Sequence, residues 1–419
     1  MMPKSPLFKY IYIISIITVL SAPIIAGCSR PKPPETLPTR PREALTVTMS
    51  LGEQEWKVFR SNIFPPFEKE HNAKIKAFQI ESGQLATKLE ALQIAGKSEI
   101  DLFAQDNMSL AMLVNKDLVL DLSDQQDKIS DKVLPSLIEA CKFDGRLLFM
   151  PFRPNVQIIY YNSEAFEKYG LYPPETWDDL FTVAKTFKAR EGVGRFVIKA
   201  YGGNPTATQV YEFILQAGGN PYAFNDEGCL KAFQFLKKLS PYLSPESQRA
   251  KWDTVNDILA KREAYLASNW PFGVPILIKD YGLDFIKTYS GFSGPSGEYH
   301  VVGGDVFGVP KNVPNKEEAL NFIFFMQSRE IQETLASKLG WPSIREDAYA
   351  DVQDWQKPHF RSVKQALKHG VFRKNVTWWP AYKKYINLAF KEIVMQDADV
   401  KQTLDKYKAE LEEEKKLHR

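Results

Sequence analysis

The sequence predicts an α/β fold divided into two lobes, and three observations predict it. Short apolar strands alternate with amphipathic helices from Ala44 onward, the order that builds a parallel sheet covered by helices. The body from Leu45 to Arg419 is too long for one ordinary domain. No internal repeat offers a solenoid instead.

The elements follow in order. Ala44–Ser50 reads as a strand, and a helix begins at Glu53 with Trp56 and Phe59 close to one turn apart, interrupted at Pro65-Pro66. Lys74–Ile80 returns as a strand. Leu85, Leu89 and Leu92 form the inner stripe of a second helix that leads into a strand over Ile100–Ala104. Thr176 and Asp179 have capping-box spacing, ahead of a helix that buries Leu180, Val183, Ala184 and Phe187. Further helical stripes are Ala319, Leu320, Ile323 and Phe324; Tyr382, Ile386, Ala389 and Ile393; and Val400, Leu404, Tyr407 and Leu411. The charged end from Glu410 reads as a fraying helix.

The first residues give an address. Lys4 and Lys9 precede an uncharged apolar run over Tyr10–Gly27, a secretory pattern. The run ends in Ile25-Ala26-Gly27-Cys28, similar to the bacterial lipobox, which implies cleavage before Cys28 and lipid on its sulfur. Residues 28–44 carry Pro31, Pro33, Pro34, Pro38 and Pro41 and read as an extended tether. Removing residues 1–27 leaves 52 basic against 51 acidic side chains, so no basic excess points to nucleic acid. Cys141 and Cys229 remain, expected as free buried thiols in different lobes. There is no Gly-rich phosphate loop, nucleophile elbow or zinc motif. The reading therefore assigns no catalytic residue, metal or cofactor.

Several segments in this order carry a resemblance. Phe67–Ile75 is similar to an "FEKETGIKV" element, Leu92–Asn107 to "LAAGDAPDVFLADN", and Phe143–Tyr169 with Pro173–Asp179 to "GKLYGLPFSSNTPGLYYNKDLFEKAG" and "PPKTWDE". Ala267–Phe272, Gly303–Lys311 and Pro342–Arg345 resemble "INGPW", "GGWGLAIPK" and "LPPVR". Together they resemble the extracellular solute-binding proteins of family 1, the maltose-binding-protein-like group. The resemblance implies a bilobal periplasmic-binding-protein type 2 fold, two parallel-sheet lobes joined by a hinge. Lobe one is placed at 45–152 plus 304–345 and lobe two at 155–300 plus 348–419, with crossings near Pro151–Val156 and His300–Asp305 and a return near Ile344–Tyr349.

The implied function is the non-catalytic receptor of an ABC importer. It would be lipid-anchored outside the cytoplasmic membrane, monomeric, and would pass a carbohydrate from its cleft to a membrane permease. Ligands of open α/β sheets sit beyond strand carboxyl ends. Glu53, Gln54 and Glu55 follow the first strand in this way and Asp106 and Asn107 the third, with capping by Asp106 of a helix over Met108–Val114 as the competing role. The resemblance adds Arg153 and Asn155 in the hinge, Tyr211 and Tyr222 in lobe two, Gly304 and Asp305 at the second crossing, and Arg345. Core packing competes for Tyr211. Trp270 is expected to stack on a sugar face, with Trp341 and Trp378 as further indoles. Competing readings are a receptor for a polyamine, a phosphorylated polyol or iron, and a surface-anchored glycoside hydrolase or lyase.

Overall fold

A computed structural model describes residues 44–313, 316–348 and 353–416, all within one compact unit, Arg42–Arg419. The leader, Cys28, nearly all of the tether and Tyr349 lie outside the described residues.

Among the described residues, two larger sheets are built from ten strands: β1 (Leu45–Met49), β2 (Ile75–Gln79), β3 (Leu102–Asp106), β4 (Met150–Val156), β5 (Ile158–Asn162), β6 (Phe196–Val197), β7 (Leu266–Asn269), β8 (Ile286–Tyr289), β9 (His300–Gly308) and β10 (Gly370–Phe372). The first sheet has the order β10-β9-β3-β1-β2, and β4 also pairs with β9. β1 pairs in parallel with β2 and β3, as the alternating pattern predicts. The second sheet, β8-β5-β7-β6, has one parallel pair, β6 with β7. Its β5 runs antiparallel to both neighbours, so the lobes hold mixed sheets rather than wholly parallel ones. The sequence order alone could not reveal this, because β5 is continuously apolar (Ile-Ile-Tyr-Tyr) and buried on both faces whatever its direction.

Local expectations shift by a residue or two. The third strand begins at Leu102, not Ile100. The first helix ends at Val58, passes through a π-helical turn over Phe59–Ile63 and resumes at Phe64–Glu70. Pro65 and Pro66 then sit in a first turn, where a missing N–H costs little. The Thr176 capping box forms: its hydroxyl accepts from the Asp179 amide (3.2 Å), and the Asp179 carboxylate accepts from the Thr176 amide (3.0 Å). The final helix extends to Lys415.

One apolar core gathers residues of the stretches Leu45–Phe152 and Val306–Trp341, with Cys141 inside it. Phe152 stacks on Phe307 (4.2 Å between centroids) and meets Trp341 edge-on, fixing the start of the crossing from both sides. A second core collects the helices of the other half and Cys229, and a third lies around Val156, Ile158 and Tyr160. Both cysteines are free and buried.

β9 is the element that both halves share. His300–Val302 pair with β10, Val302–Phe307 pair with β4, and Asp305–Gly308 pair with β3. Beyond β10 the chain crosses the seam again: Arg373 reaches the Asn107 carbonyl, and Asn375 those of Ala140 and Lys142.

Candidate functional site

The strand ends of the first sheet meet at β9. Asp305 stands opposite Asp106 on β3 and opposite Arg153 on β4. Gly304 has φ of +124° and would place a Cβ 2.0 Å from the Arg153 carbonyl oxygen, so the backbone passes there only because the residue is glycine. Its own carbonyl accepts from the Asn107 amide (2.9 Å).

Around this crossing lies a charged network. Arg153 donates from Nε to Asp305 (2.7 Å) and from a terminal nitrogen to Glu55 (3.0 Å). Its guanidinium lies 4.0 Å from the centre of the Trp341 ring, and the Trp341 indole N–H donates to the same Glu55 oxygen (3.1 Å). Burial works against the Arg153 charge, but Asp305 and Glu55 outweigh it and hold its pKa above the ordinary value. Asp106 behaves in the opposite way. Burial and the neighbouring Asp305 push its carboxyl up to about 6, although it accepts the Met108 amide (2.7 Å). The following helix starts only at Leu110, after Ser109. Asp106 therefore closes the turn before that helix instead of capping a helix from Met108.

The opposite side is aromatic. Trp270 follows β7 and is buried; its ring meets Trp252 edge-on (5.9 Å), and its carbonyl accepts from the Tyr160 hydroxyl (2.8 Å). A Cβ on Gly303 would sit 2.8 Å from the Trp270 ring tip, so the indole rests on the hinge strand itself. Beneath this loop, Lys199 is buried and donates to Gln157 (2.9 Å) and to the Ser268 carbonyl (2.6 Å). Burial pulls its pKa down to about 7, against the pull of Glu212.

Tyr211, Tyr222 and Tyr382 form a cluster with centroids 5.2 to 6.4 Å apart. Tyr211 is buried within it. Trp378 is half-buried, 4.9 Å from Tyr222 and under the Lys415 ammonium. Its neighbour Trp379 is the fully buried one and carries Arg373 at 3.8 Å above its ring. The halves touch across the seam: Thr208 donates to the Met108 sulfur, Asn115 donates to the Thr377 carbonyl, and Ala111 packs into the second core.

The structure thus brings Asp106, Asn107, Arg153, Gly304 and Asp305 together, with Trp341 beneath Arg153 and the Trp270 ring against Gly303 of β9. Asn155 is opposite Gly303 in register and makes no side-chain hydrogen bond among the described residues. Glu53 is exposed at the helix start; the side chain of Gln54 lies outside the described residues. Arg345 is not free for a ligand in this arrangement. It holds Asp347 through two nitrogens (2.8 and 2.9 Å) and the Gln327 carbonyl through a third, which makes it a clamp on its own turn. Two further residues enter: Glu55, which the sequence places beside Glu53 and Gln54 after the first strand and which joins Arg153 to Trp341, and Arg373, which it does not single out. A lone arginine after a short strand and before a Trp-Trp pair was the only trace of the latter in sequence.

Comparison with known proteins agrees with this architecture. The profile of the bacterial extracellular solute-binding proteins matches residues 62–362. An ABC transporter extracellular-binding protein of Pyrococcus horikoshii is 28% identical over 361 residues, covering 81% of this chain and 80% of that protein. The sn-glycerol-3-phosphate-binding periplasmic protein of Brucella abortus is 45% identical over 241 residues, 51% of this chain and 52% of that one. Among solved structures, the sugar-binding protein MalE of Xanthomonas citri superposes with a TM-score of 0.76 at 16% identity, covering 88% of this chain and 96% of its own.

Proposed function

The chain belongs to the bacterial extracellular solute-binding proteins, the solute receptors of ABC transporters, and from that premise we propose that it holds a carbohydrate or related polyol at the seam between its two sheets. The observation that carries this reading is the convergence on β9 of two carboxylates, an arginine pinned between acids, and indoles. Hydroxyl groups are both donors and acceptors, and fixed carboxylates and guanidinium groups match them in pairs. A pyranose also presents an apolar face of C–H groups that an indole can cover. In this proposal Asp106, Asp305, Arg153, Asn155 and Asn107 meet hydroxyls while Trp270 supplies the ring. Its burial against Gly303 and Trp252 means that part of the ring also serves packing.

The receptor binds, and hands its cargo to a permease, without chemistry of its own; turnover of a chromogenic glycoside would overturn that. It is held at the membrane by lipid on Cys28 and acts as a monomer. An unmodified Cys28 in the mass spectrum of the native protein would remove the anchor, and a dimer in analytical ultracentrifugation the monomeric state. The central test is a thermal-shift series on the body from Leu45 against sugars and polyols. A solute at 100 times its Kd should add about 2.7 kcal/mol. A series in which no polyhydroxylated solute raises the melting point defeats the proposal.

A further inference from the structure

Two arginines flank the seam, and only one has its charge answered. Arg373 is 5% exposed. One terminal nitrogen donates to the Asn107 carbonyl (2.9 Å), and its Nε has no hydrogen-bond partner. No carboxylate lies within the 4.0 Å of an ion pair among the described residues. Its surroundings are Trp379 below the guanidinium and the ring cluster of Tyr211, Tyr222 and Tyr382, from which the neutral Tyr222 hydroxyl also reaches the guanidinium. Buried charges in folded proteins are paired, because an unpaired one forfeits its hydration with nothing in return.

The neighbouring charges do not close the account. Lys383 is a second cation in the field of Arg373, lowered by burial and then by that arginine. Asp106 feels Arg373, but it is also crowded by Asp305, so it is a poor dedicated counter-ion. Three further buried polar atoms here lack partners: Asn107 Oδ1, the Trp379 indole N–H and the Tyr382 hydroxyl. Two of these are donors, a set suited to oxygen acceptors that carry negative charge.

We propose that the solute carries an anionic group, a carboxylate or a phosphate monoester on a polyhydroxylated body, and that Arg373 is its counter-ion. This rests on the solute-binding reading above and narrows it. The hydroxyl-bearing body lies toward Arg153, Asp305 and Trp270, and the anion lies toward the Trp379 side. The lobes separate to admit it, and its charge answers the buried guanidinium when they meet.

The test is calorimetry on the body from Leu45 with four probes: D-glucose, D-glucuronate, D-glucose 6-phosphate and inorganic phosphate. Glucuronate or glucose 6-phosphate should bind about tenfold or more tightly than glucose, and which of the two wins identifies the anion. Arg373→Met should bring the ratio of anionic to neutral affinity close to one, and Arg373→Lys should keep part of it. Should the methionine variant not fold, the wild-type ratio and the lysine variant decide by themselves. Glucose binding as tightly as both anions overturns the anionic proposal and leaves the carbohydrate reading standing. Inorganic phosphate binding alone does the reverse, and silence from all four overturns both.

Discussion

Arg153 and Arg373 occupy matched places on the two sides of β9, each laid over an indole, yet they differ in everything that sets the cost of a buried charge. Arg153 is held by Asp305 and Glu55, both on the first sheet's side, and its network is complete without any solute. Arg373 has a carbonyl, a neutral hydroxyl and a ring, and no carboxylate in ion-pair contact among the described residues. The contrast separates a charge that the protein neutralises itself from one that it leaves open. A finished network fixes the shape of the hinge, whereas an unfinished one has capacity left for something that arrives from outside.

The comparison can be broken at its frame first. Gly304→Ala would force a Cβ onto the Arg153 carbonyl at a positive φ, so it should cost about 3 kcal/mol or more in denaturant unfolding. A near-neutral result would mean that β9 can pass Arg153 by another path. The arginines themselves come next. Without solute, Arg153→Met strands Glu55 and Asp305 together and should cost about 2 to 3 kcal/mol. Arg373→Met removes an unanswered charge and should cost about 1 kcal/mol or less, or stabilise. Equal losses in urea titrations of the two variants would erase the distinction.

The smallest effect sharpens the electrostatics. Asp106 is pushed up to about 6 by burial and Asp305, so between about pH 4 and pH 6 the folded chain keeps a proton that the unfolded chain has released. Stability then falls as pH rises through that window and is level above it. Asp106→Asn keeps the acceptor for the Met108 amide but cannot ionise. It should melt higher than the parent above about pH 6, with the advantage gone below about pH 4. A gain independent of pH would show that Asp106 titrates normally.

What could be read from the chain in advance was what is local. Thr176 and Asp179 are three residues apart and announce their capping box; the β1–β3 alternation announces parallel pairing. The boundaries of β3 slipped by two residues because its apolar run does not mark its own ends. The site is non-local: Arg153 meets Asp305 across 152 positions, Trp341 meets Glu55 across 286, and Arg373 meets Asn107 across 266. Family-like segments placed Arg153, Asp305 and Trp270 near one another, and the structure has all three along β9. They gave no hint that Arg345 would be tied to Asp347, or that Arg373 would be left unanswered, since both depend on distances that sequence spacing does not encode.

The seating of guanidinium groups on indoles also gives the molecule an optical property. Of eight tryptophans, Trp341 and Trp379 each lie under an arginine and Trp270 presses on the strand that both halves share. Indole emission responds to nearby charge and to water, so any opening of the seam, or any anion set beside Arg373, alters the light these rings emit. If solute arrives where we propose, the protein carries its own dye there, and its loading is expected to show in intrinsic fluorescence with no label attached.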